Sequence, residues 1–424
     1  MYMLKDGQRL KSENKMDFVV KRFIASGGQG EVYEVEDKSG KKYALKWYFK
    51  HSATAYQHKL IENLIKKGAP DGKFLWPLDL IKKGDLFGYV MRLRPPAYKS
   101  IVDLMKRRVE PTFATLCMAG INLADGYQNL HSEGLCYRDI SFGNLFFNPT
   151  DGDVLICDND NVTVNQDSES ATNGTPRFIA PEVIVGNKYP SRETDLYSMA
   201  VLLFYMFMLH HPLEGAVEAN IKCFDAKAME KIYGHDPVFI WDPQNNSNRP
   251  IPGYQDNAII FWHMYPPYLR EMFICAFTKG LKDADSRIME KQWKDAFANL
   301  RDIILYCNKC GKENFYNKKP TCWSCKAPIV PPPRLVIKTQ NIMLNYNSAI
   351  FSHHINGNFD FKTIIGKMSQ HPTQPNKWGL TNESNDNWTY IKTNGETAVI
   401  TPGKTAPLAR GAKINFGQAE GTIE

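Results

Sequence analysis

The sequence has no apolar run long enough to cross a bilayer. Its longest, Leu196 to Leu209, is bounded by Asp195 and by His210-His211, and reads as a buried core helix. The opening residues, Met1-Tyr2-Met3-Leu4-Lys5-Asp6, lack the apolar core of a secretory leader. No strong charge imbalance is present either. A net charge of +7 spread over 424 residues does not call for nucleic acid as a partner. Cysteine is sparse, and five of the nine (Cys117, Cys136, Cys157, Cys223 and Cys275) stand scattered in apolar contexts, where buried reduced thiols are expected. That usage fits a cytoplasmic location. What remains is the composition of a folded soluble chain, 43% apolar and 23% charged. The length suits roughly three domains of about 150 residues each.

The densest chemistry lies in Leu135-Cys136-Tyr137-Arg138-Asp139-Ile140-Ser141-Phe142-Gly143-Asn144-Leu145. It places a carboxylate, Asp139, five positions before an amide, Asn144, between hydrophobic runs. The apolar strand Val154-Leu155-Ile156-Cys157 then delivers Asp158. Phosphoryl transfer needs a carboxylate to orient the attacking hydroxyl and oxygen ligands to hold Mg²⁺ against the nucleotide phosphates. Upstream, Ala25-Ser26-Gly27-Gly28-Gln29-Gly30-Glu31-Val32 sits between two strands, where glycines let the backbone approach phosphates. Lys42 to Tyr48 reads as a strand that carries Lys46 among apolar neighbours, and such a lysine needs an anionic partner. Thr54 to Lys67 has Leu60/Leu64 and Ile61/Ile65 at helical spacing, with Glu62 on the same helix. Trp76 to Ile81 and Phe87 to Arg92 read as strands joined at Lys83-Gly84-Asp85. Thr112 to His131 reads as a long helix through Leu116, Ala119, Leu123, Tyr127 and Leu130.

These segments, in this order, resemble the eukaryotic-type (Hanks-type) Ser/Thr protein kinases in bacterial style. Tyr137-Arg138-Asp139-Ile140 with Asn144 matches H-R-D-L-x-x-x-N. Ala25, Gly27, Gly30 and Val32 fall on the glycine-rich loop, with Ala25 in place of the first glycine. The resemblance implies an α+β, bilobal kinase-like fold that uses ATP and Mg²⁺. It implies that Lys46 meets the α- and β-phosphates and pairs with Glu62. Ala44, Met91 as gatekeeper and Leu93 in the Arg92-Leu93-Arg94 hinge would line the adenine site. Asp139 would act on the substrate hydroxyl, and Asn144 and Asp158 would ligate Mg²⁺. Gly174-Thr175-Pro176-Arg177-Phe178-Ile179-Ala180-Pro181-Glu182 resembles the family's G-T-x-x-Y/F-x-A-P-E ending and implies Ser/Thr of protein substrates. It disfavours a small-molecule phosphotransferase. Autophosphorylation is expected among Thr163, Ser168, Ser170, Thr172 and Thr175, ordered by Arg138. Asp195-Leu196-Tyr197-Ser198 resembles the family's D-x-W-S helix start, whose Asp holds the catalytic loop, and Arg287 is the expected partner of Glu182. Trp293, Phe297 and Leu300 read as core positions. Two departures stand out: D-F-G reads Asp158-Asn159-Asp160, and the usual Lys two residues past the catalytic Asp is Ser141. They motivate an alternative, a nucleotide-binding pseudokinase acting as a scaffold.

Beyond the kinase-like segment, Cys307-x-x-Cys310 and Cys322-x-x-Cys325 offer four thiolates for tetrahedral Zn²⁺. Four cysteines leave no open position, so the site reads as structural and resembles a zinc ribbon. Pro331-Pro332-Pro333 forms a stiff linker. Leu335-Val336-Ile337, Ile342-Met343-Leu344, Trp388 to Ile391 and Ala398-Val399-Ile400 read as strands of an all-β sandwich. The stretches Trp378 to Tyr390 and Leu408 to Gly417 resemble the closing half of forkhead-associated domains, and Ser352 and His353 echo that family's S-x-x-H segment. The expected order is an extension 1–17, a kinase-like domain 18–305 (lobes 18–91 and 95–305), a ribbon 306–327, a linker 328–333 and a sandwich 334–424. The arrangement resembles kinases of bacterial stress-associated operons. It implies a protein substrate, with a phosphatase or other partner recruited by the C-terminal domain, and no membrane partner.

Overall fold

In the first sheet, side chains of successive residues point to opposite faces, and the residue pattern exploits this. The computed structural model describes residues 2–164, 174–317 and 320–424. Six antiparallel strands, β1 (Arg9–Lys11), β2 (Asp17–Ser26), β3 (Gly30–Asp37), β4 (Lys42–Tyr48), β5 (Asp79–Lys83) and β6 (Leu86–Arg92), take the order β1-β2-β3-β4-β6-β5. Phe18, Val20, Tyr33, Val35, Leu45, Trp47, Ile81 and Val90 form one buried cluster with Leu4 and Leu10. The segment before Phe18 is therefore part of this sheet and its core. Ala44, Lys46 and Tyr48 alternate with Leu45 and Trp47, so they belong to the opposite face.

Helix α1 (Ala55–Lys67) follows β4. Thr54 caps it by accepting the N–H of Gln57, Gly68 ends it at φ +82°, and Lys66 and Lys67 complement its C-terminal dipole. Its buried residues are Ile61 and Leu64, one turn apart.

Chain contacts divide the protein into two units. The first comprises Met1–Pro111, Met118–Trp262 and Tyr268–Lys294; the second comprises Thr112–Cys117, His263–Pro267 and Asp295–Glu424. In the first unit, helix Arg192–Met208 is buried from Thr194 to Met208, as its apolar residues on every face require. Ser191 and Thr194 close a capping box at its start. Around Phe204 stand the rings of Phe273 at 5.1 Å, Phe239 and Phe277 at 5.8 Å and Trp262 at 6.5 Å. Arg287 donates to both carboxylate oxygens of Glu182 at 2.8 Å, the expected pair. Trp293, Phe297 and Leu300 are each fully buried. Cys223 differs from expectation: it is exposed, because the polar stretch between helices Ala216–Ala219 and Ala226–Glu230 leaves it at the surface. No helix among the described residues is long and apolar enough to cross a membrane.

The second unit carries two larger antiparallel sheets. One has six strands in the order Gln340–Met343, Arg334–Ile337, Glu420–Ile423, Lys413–Asn415, Trp388–Ile391 and Thr397–Ile400. The other has Ala349–Phe351, Ile364–His371, Gln374–Asn382 and Thr405–Pro407. Leu335, Ile337, Ile350, Met368, Leu380, Trp388 and Ile414 share one core. A Cβ on Gly366 would lie 2.7 Å from the Trp388 ring, so this glycine lets the indole pack against the strand backbone. The short helix Ser352–Asn356 was not expected from the sequence.

Candidate active site

Backbone register assembles the first half of the site. β3 pairs with β4 so that Val32 faces Lys46, and β4 pairs with β6 so that Ala44 faces Met91. Ala25 lies opposite Val32 across the β2–β3 hairpin, whose turn closes with Gly27 N–H donating to Gly30 O at 2.9 Å. A Cβ at Gly30 would stand 2.2 Å from Trp47 O, so only glycine admits β4 this closely. Met91 is buried and Leu93 half-buried.

Lys46 is 5% exposed, and its ammonium holds three acceptors. It donates to Asp158 Oδ1 at 2.5 Å, to Asp160 Oδ1 at 3.0 Å and to Gln29 Oε1 at 3.0 Å. Burial opposes its charge, but the carboxylates of Asp158 and Asp160 outweigh burial and raise its pKa above the usual lysine value. The expected pair with Glu62 is not formed; among the described residues no ion pair joins the two. Ile61 and Leu64 define the inward face of α1, and Glu62 is rotated about 100° from Ile61. Its carboxylate instead lies 3.7 Å from His58 Nδ1, one turn earlier on the helix. The helix side chain that does reach inward is Gln57, which donates to the Asp160 carbonyl at 2.8 Å and to the Tyr48 hydroxyl at 3.2 Å.

The catalytic-loop half is set by the buried helix below it. Asp195, 1% exposed, accepts the Tyr137 N–H at 2.5 Å and the Arg138 N–H at 2.9 Å. Its Oδ2 also stands 3.1 Å from His131 Nε2, and His131 Nδ1 meets Glu290 Oε1 at 2.5 Å. This clamp holds the loop where Arg138 adopts φ +74°. Tyr137 is fully buried and donates its hydroxyl to Cys157 O, fastening the strand end that delivers Asp158. Asp139 accepts the Thr175 hydroxyl at 2.6 Å on Oδ1 and the Asn144 amide at 3.0 Å on Oδ2. Burial, reinforced by the nearby charge of Asp158, raises its pKa above the ordinary aspartate value despite these two donors. Asn144 and Asp158 are both half-buried, and Asp158 turns at φ +60°.

Sequence reasoning passed over Asp160, Gln29, Tyr48 and Gln57. Asp160 is fully buried, and the Tyr48 hydroxyl donates to its Oδ2. The signal available was an acidic residue at the glycine position of D-F-G, where the motif carries no side chain: a carboxylate placed there beside the site calls for a cation.

In the second unit the two C-x-x-C turns meet. All four sulfurs of Cys307, Cys310, Cys322 and Cys325 lie within 4.8 Å of one another. Cys307 Sγ to Cys325 Sγ and Cys310 Sγ to Cys322 Sγ are each 3.6 Å, close to the ~3.7 Å edge of a tetrahedron built on 2.3 Å metal–sulfur bonds. Each turn is followed by a left-handed residue, Gly311 at φ +71° and Lys326 at φ +60°. Burial opposes ionisation of Cys322, but the backbone N–H groups of Cys325 and Ser324 prevail and lower its thiol to about 6. The donor set fits a structural zinc ion.

Together, the glycine-turned sheet, the buried lysine and the clamped carboxylate–amide loop define a kinase-like protein. The family described as protein kinase domain matches residues 18–263, more than half of the sequence, and the chain belongs to that family. It is similar to the cell cycle serine/threonine-protein kinase CDC5/MSD2 of Saccharomyces cerevisiae, 26% identical over 229 residues, which cover 51% of this chain and 32% of that protein. It is 29% identical over 200 residues to the probable serine/threonine-protein kinase CCRP1 of Zea mays, covering 46% of this chain and 32% of that one. Protein kinase C delta type of Rattus norvegicus is 26% identical over 235 residues, covering 50% and 32%. The chain spans about a third of the length of these relatives.

Proposed function

We propose that this protein transfers the γ-phosphoryl group of ATP to serine or threonine hydroxyls of protein substrates. The observation that carries the reading is Asp139, with one oxygen held by Asn144 and the other by Thr175, the threonine of the Gly174–Glu182 segment. A substrate hydroxyl arriving at Asp139 would take the place of the Thr175 donor, and the carboxylate would orient it and accept its proton late. ATP, with Mg²⁺ held by Asn144 and Asp158, would supply the phosphoryl group. Lys46 would turn its ammonium to the α- and β-phosphates while keeping its carboxylate contacts, and Ala25, Gly27, Gly30, Val32, Ala44, Met91 and Leu93 would line the nucleotide. Relatives named serine/threonine-protein kinases support this substrate class.

A second reading, a nucleotide-binding pseudokinase scaffold, rests on Ser141, which puts a buried hydroxyl where the family carries a lysine donor. The test is transfer from labelled ATP with Mg²⁺, comparing wild type with Asp139→Ala and Asp158→Ala. Signal lost in both variants supports the kinase. No transfer, with ATP still raising the melting temperature, supports the scaffold.

Thr163 is 3% exposed, sits in a strand paired with Leu135–Cys136 and accepts from Arg138 Nη1 at 3.2 Å. Thr175 is engaged by Asp139. The autophosphorylation we propose falls within Thr163–Thr175, where Ser168, Ser170 and Thr172 lie outside the described residues. Phosphopeptide mapping of active protein that finds none of Thr163, Ser168, Ser170, Thr172 and Thr175 modified refutes it.

The organisation we propose is a kinase domain 18–305, a structural zinc ribbon 306–327, a linker 328–333 and an FHA-like interaction domain 334–424. In the last, Ser352 accepts the side-chain amides of Asn356 and Asn358 at 3.0 Å, and His353 Nδ1 accepts the Phe359 N–H at 3.0 Å. These bonds favour a structural use of both residues over phosphothreonine reading. Calorimetry with phosphothreonine peptides tests it: heat of binding would restore the reading function.

A further inference from the structure

The buried lysine of the nucleotide site has a counter-ion that the family pattern does not supply. Asp160 stands two residues after Asp158, in a short 3₁₀ turn, Asn159–Asn161. It has no exposed surface, its Oδ2 lies 2.8 Å from Lys46 Nζ and its Oδ1 3.0 Å away. Tyr48 donates its hydroxyl to the same carboxylate, and Gln57 fastens the residue's carbonyl. Asn159 ties the turn back to the Ile156 carbonyl at 3.0 Å. A carboxylate enclosed this way is compensated only while its cation and its hydroxyl donor stay in place. Glu62, by contrast, has a side chain 38% exposed and is directed at His58.

We propose that Asp160, rather than a glutamate on α1, is the residue that positions Lys46 for the nucleotide phosphates. The inference rests on the nucleotide reading above for what Lys46 does, but the placement of Lys46 by Asp160 stands on geometry alone. It has a mechanical consequence. In this chain the candidate metal ligand Asp158 stands directly before the Asn159–Asn161 turn that carries the anchor of the lysine, so one short segment places both. Helix α1 contributes Gln57 to that turn and supplies no charge to the lysine. The glycine-rich hairpin joins the same turn, because Gln29 accepts from Lys46 at 3.0 Å and donates to Asn161 Oδ1 at 3.3 Å. Helix α1 thereby reaches the lysine through Gln57 and this turn rather than through an ion pair of its own.

The test compares full-length wild type, Asp160→Asn and Glu62→Gln by two readouts. The first is acylation of Lys46 by an amine-reactive ester, followed by mass spectrometry. Removing one of two carboxylates from a buried ammonium should raise labelling at Lys46 by roughly tenfold in Asp160→Asn, and Glu62→Gln should match wild type. The second is calorimetric binding of Mg²⁺-ATP beside adenosine. Asp160→Asn should weaken ATP by roughly thirtyfold and leave adenosine within about twofold, a split that a general loss of structure would not produce. If Asp160→Asn does not fold, Tyr48→Phe, which removes the hydroxyl that donates to Asp160 and accepts from Gln57 while leaving both carboxylates in place, should raise Lys46 labelling by about threefold. Labelling unchanged in the foldable variant, or raised as much by Glu62→Gln, overturns the proposal. If wild type binds neither ATP nor adenosine, the nucleotide reading falls, and the labelling result still decides where Lys46 is anchored.

Discussion

Replacing Asp195 by Asn tests how the loop from Tyr137 to Asn144 is held. In the wild type one buried carboxylate serves three donors: the N–H of Tyr137, the N–H of Arg138 and the ring of His131. An amide of the same shape has one acceptor oxygen. Its NH₂ must then face either a backbone N–H or the imidazole, and at least one buried donor is left unsatisfied. Hydrogen bonds to a charged acceptor contribute about 1.5–3 kcal/mol each. Losing one and weakening a second, with His131 left beside Glu290 alone, gives a destabilisation of about 3–5 kcal/mol, in line with breaking buried charge pairs. At about 2–4 °C per kcal/mol for a domain of this size, the melting temperature of the first unit should fall by roughly 10 °C. Scanning calorimetry reads it. Hydrogen exchange adds a local readout, because the Tyr137 and Arg138 amides should lose protection ahead of those in the first sheet. A variant that melts within about 2 °C of wild type with both amides still protected would refute the clamp.

The His131–Glu290 contact makes stability depend on pH in two directions. Burial opposes the imidazolium, but Asp195 and Glu290 outweigh it and raise His131 above 6.5; its contribution is full below 6.5 and fades as pH rises through the raised value. Burial opposes the Glu290 carboxylate, but His131 prevails and lowers it from 4.5 to about 2; its contribution is full above 4.5 and is lost as pH falls towards 2, a difference of about 3 kcal/mol. The stability gap between wild type and His131→Asn should therefore be widest between pH 4.5 and 6.5 and narrow on both sides; a pH-independent gap would contradict it. Purified protein should carry one thiolate-bound zinc per chain, released by a chelator and absent in Cys322→Ser; metal analysis showing none in wild type would rule the site out. Gly30→Val drives a side chain into Trp47 O and should cost about 2 kcal/mol or more in urea unfolding, whereas Gly27→Ala, with open space around its Cα, should leave stability unchanged. Equal stability of the two variants would show that the close approach of β3 and β4 is relieved elsewhere.

Much of the fold could be read from residue order because local pattern and tertiary role coincide there. The apolar run from Leu196 had to be a core helix, since no face of it could meet water. Two C-x-x-C turns had to converge if they were to hold a metal, and they do. Strand Trp388–Ile391 was visible because its inward residues alternate with outward ones. The hairpin Ile364–His371 with Gln374–Asn382 was obscure because it is largely exposed and polar, so only cross-strand pairing defines it.

The sequence by itself determined which chemistry is present: a carboxylate and an amide in one loop, an acid after a strand, a lysine in a strand and four thiols in two turns. Those are matters of residue type and spacing, and short-range geometry carries them. Tertiary structure alone decided which residue pairs with Lys46. Glu62 was a reasonable partner for Lys46 by separation, but the rotation of α1 turns Gln57 inward and leaves Glu62 beside His58. Asp160 reaches Lys46 across 114 residues of chain, through a turn whose direction depends on Tyr48, Gln57 and Asn159 together. A pairing of that kind depends on the phase of one helix and the register of a sheet, quantities that no single stretch of sequence contains.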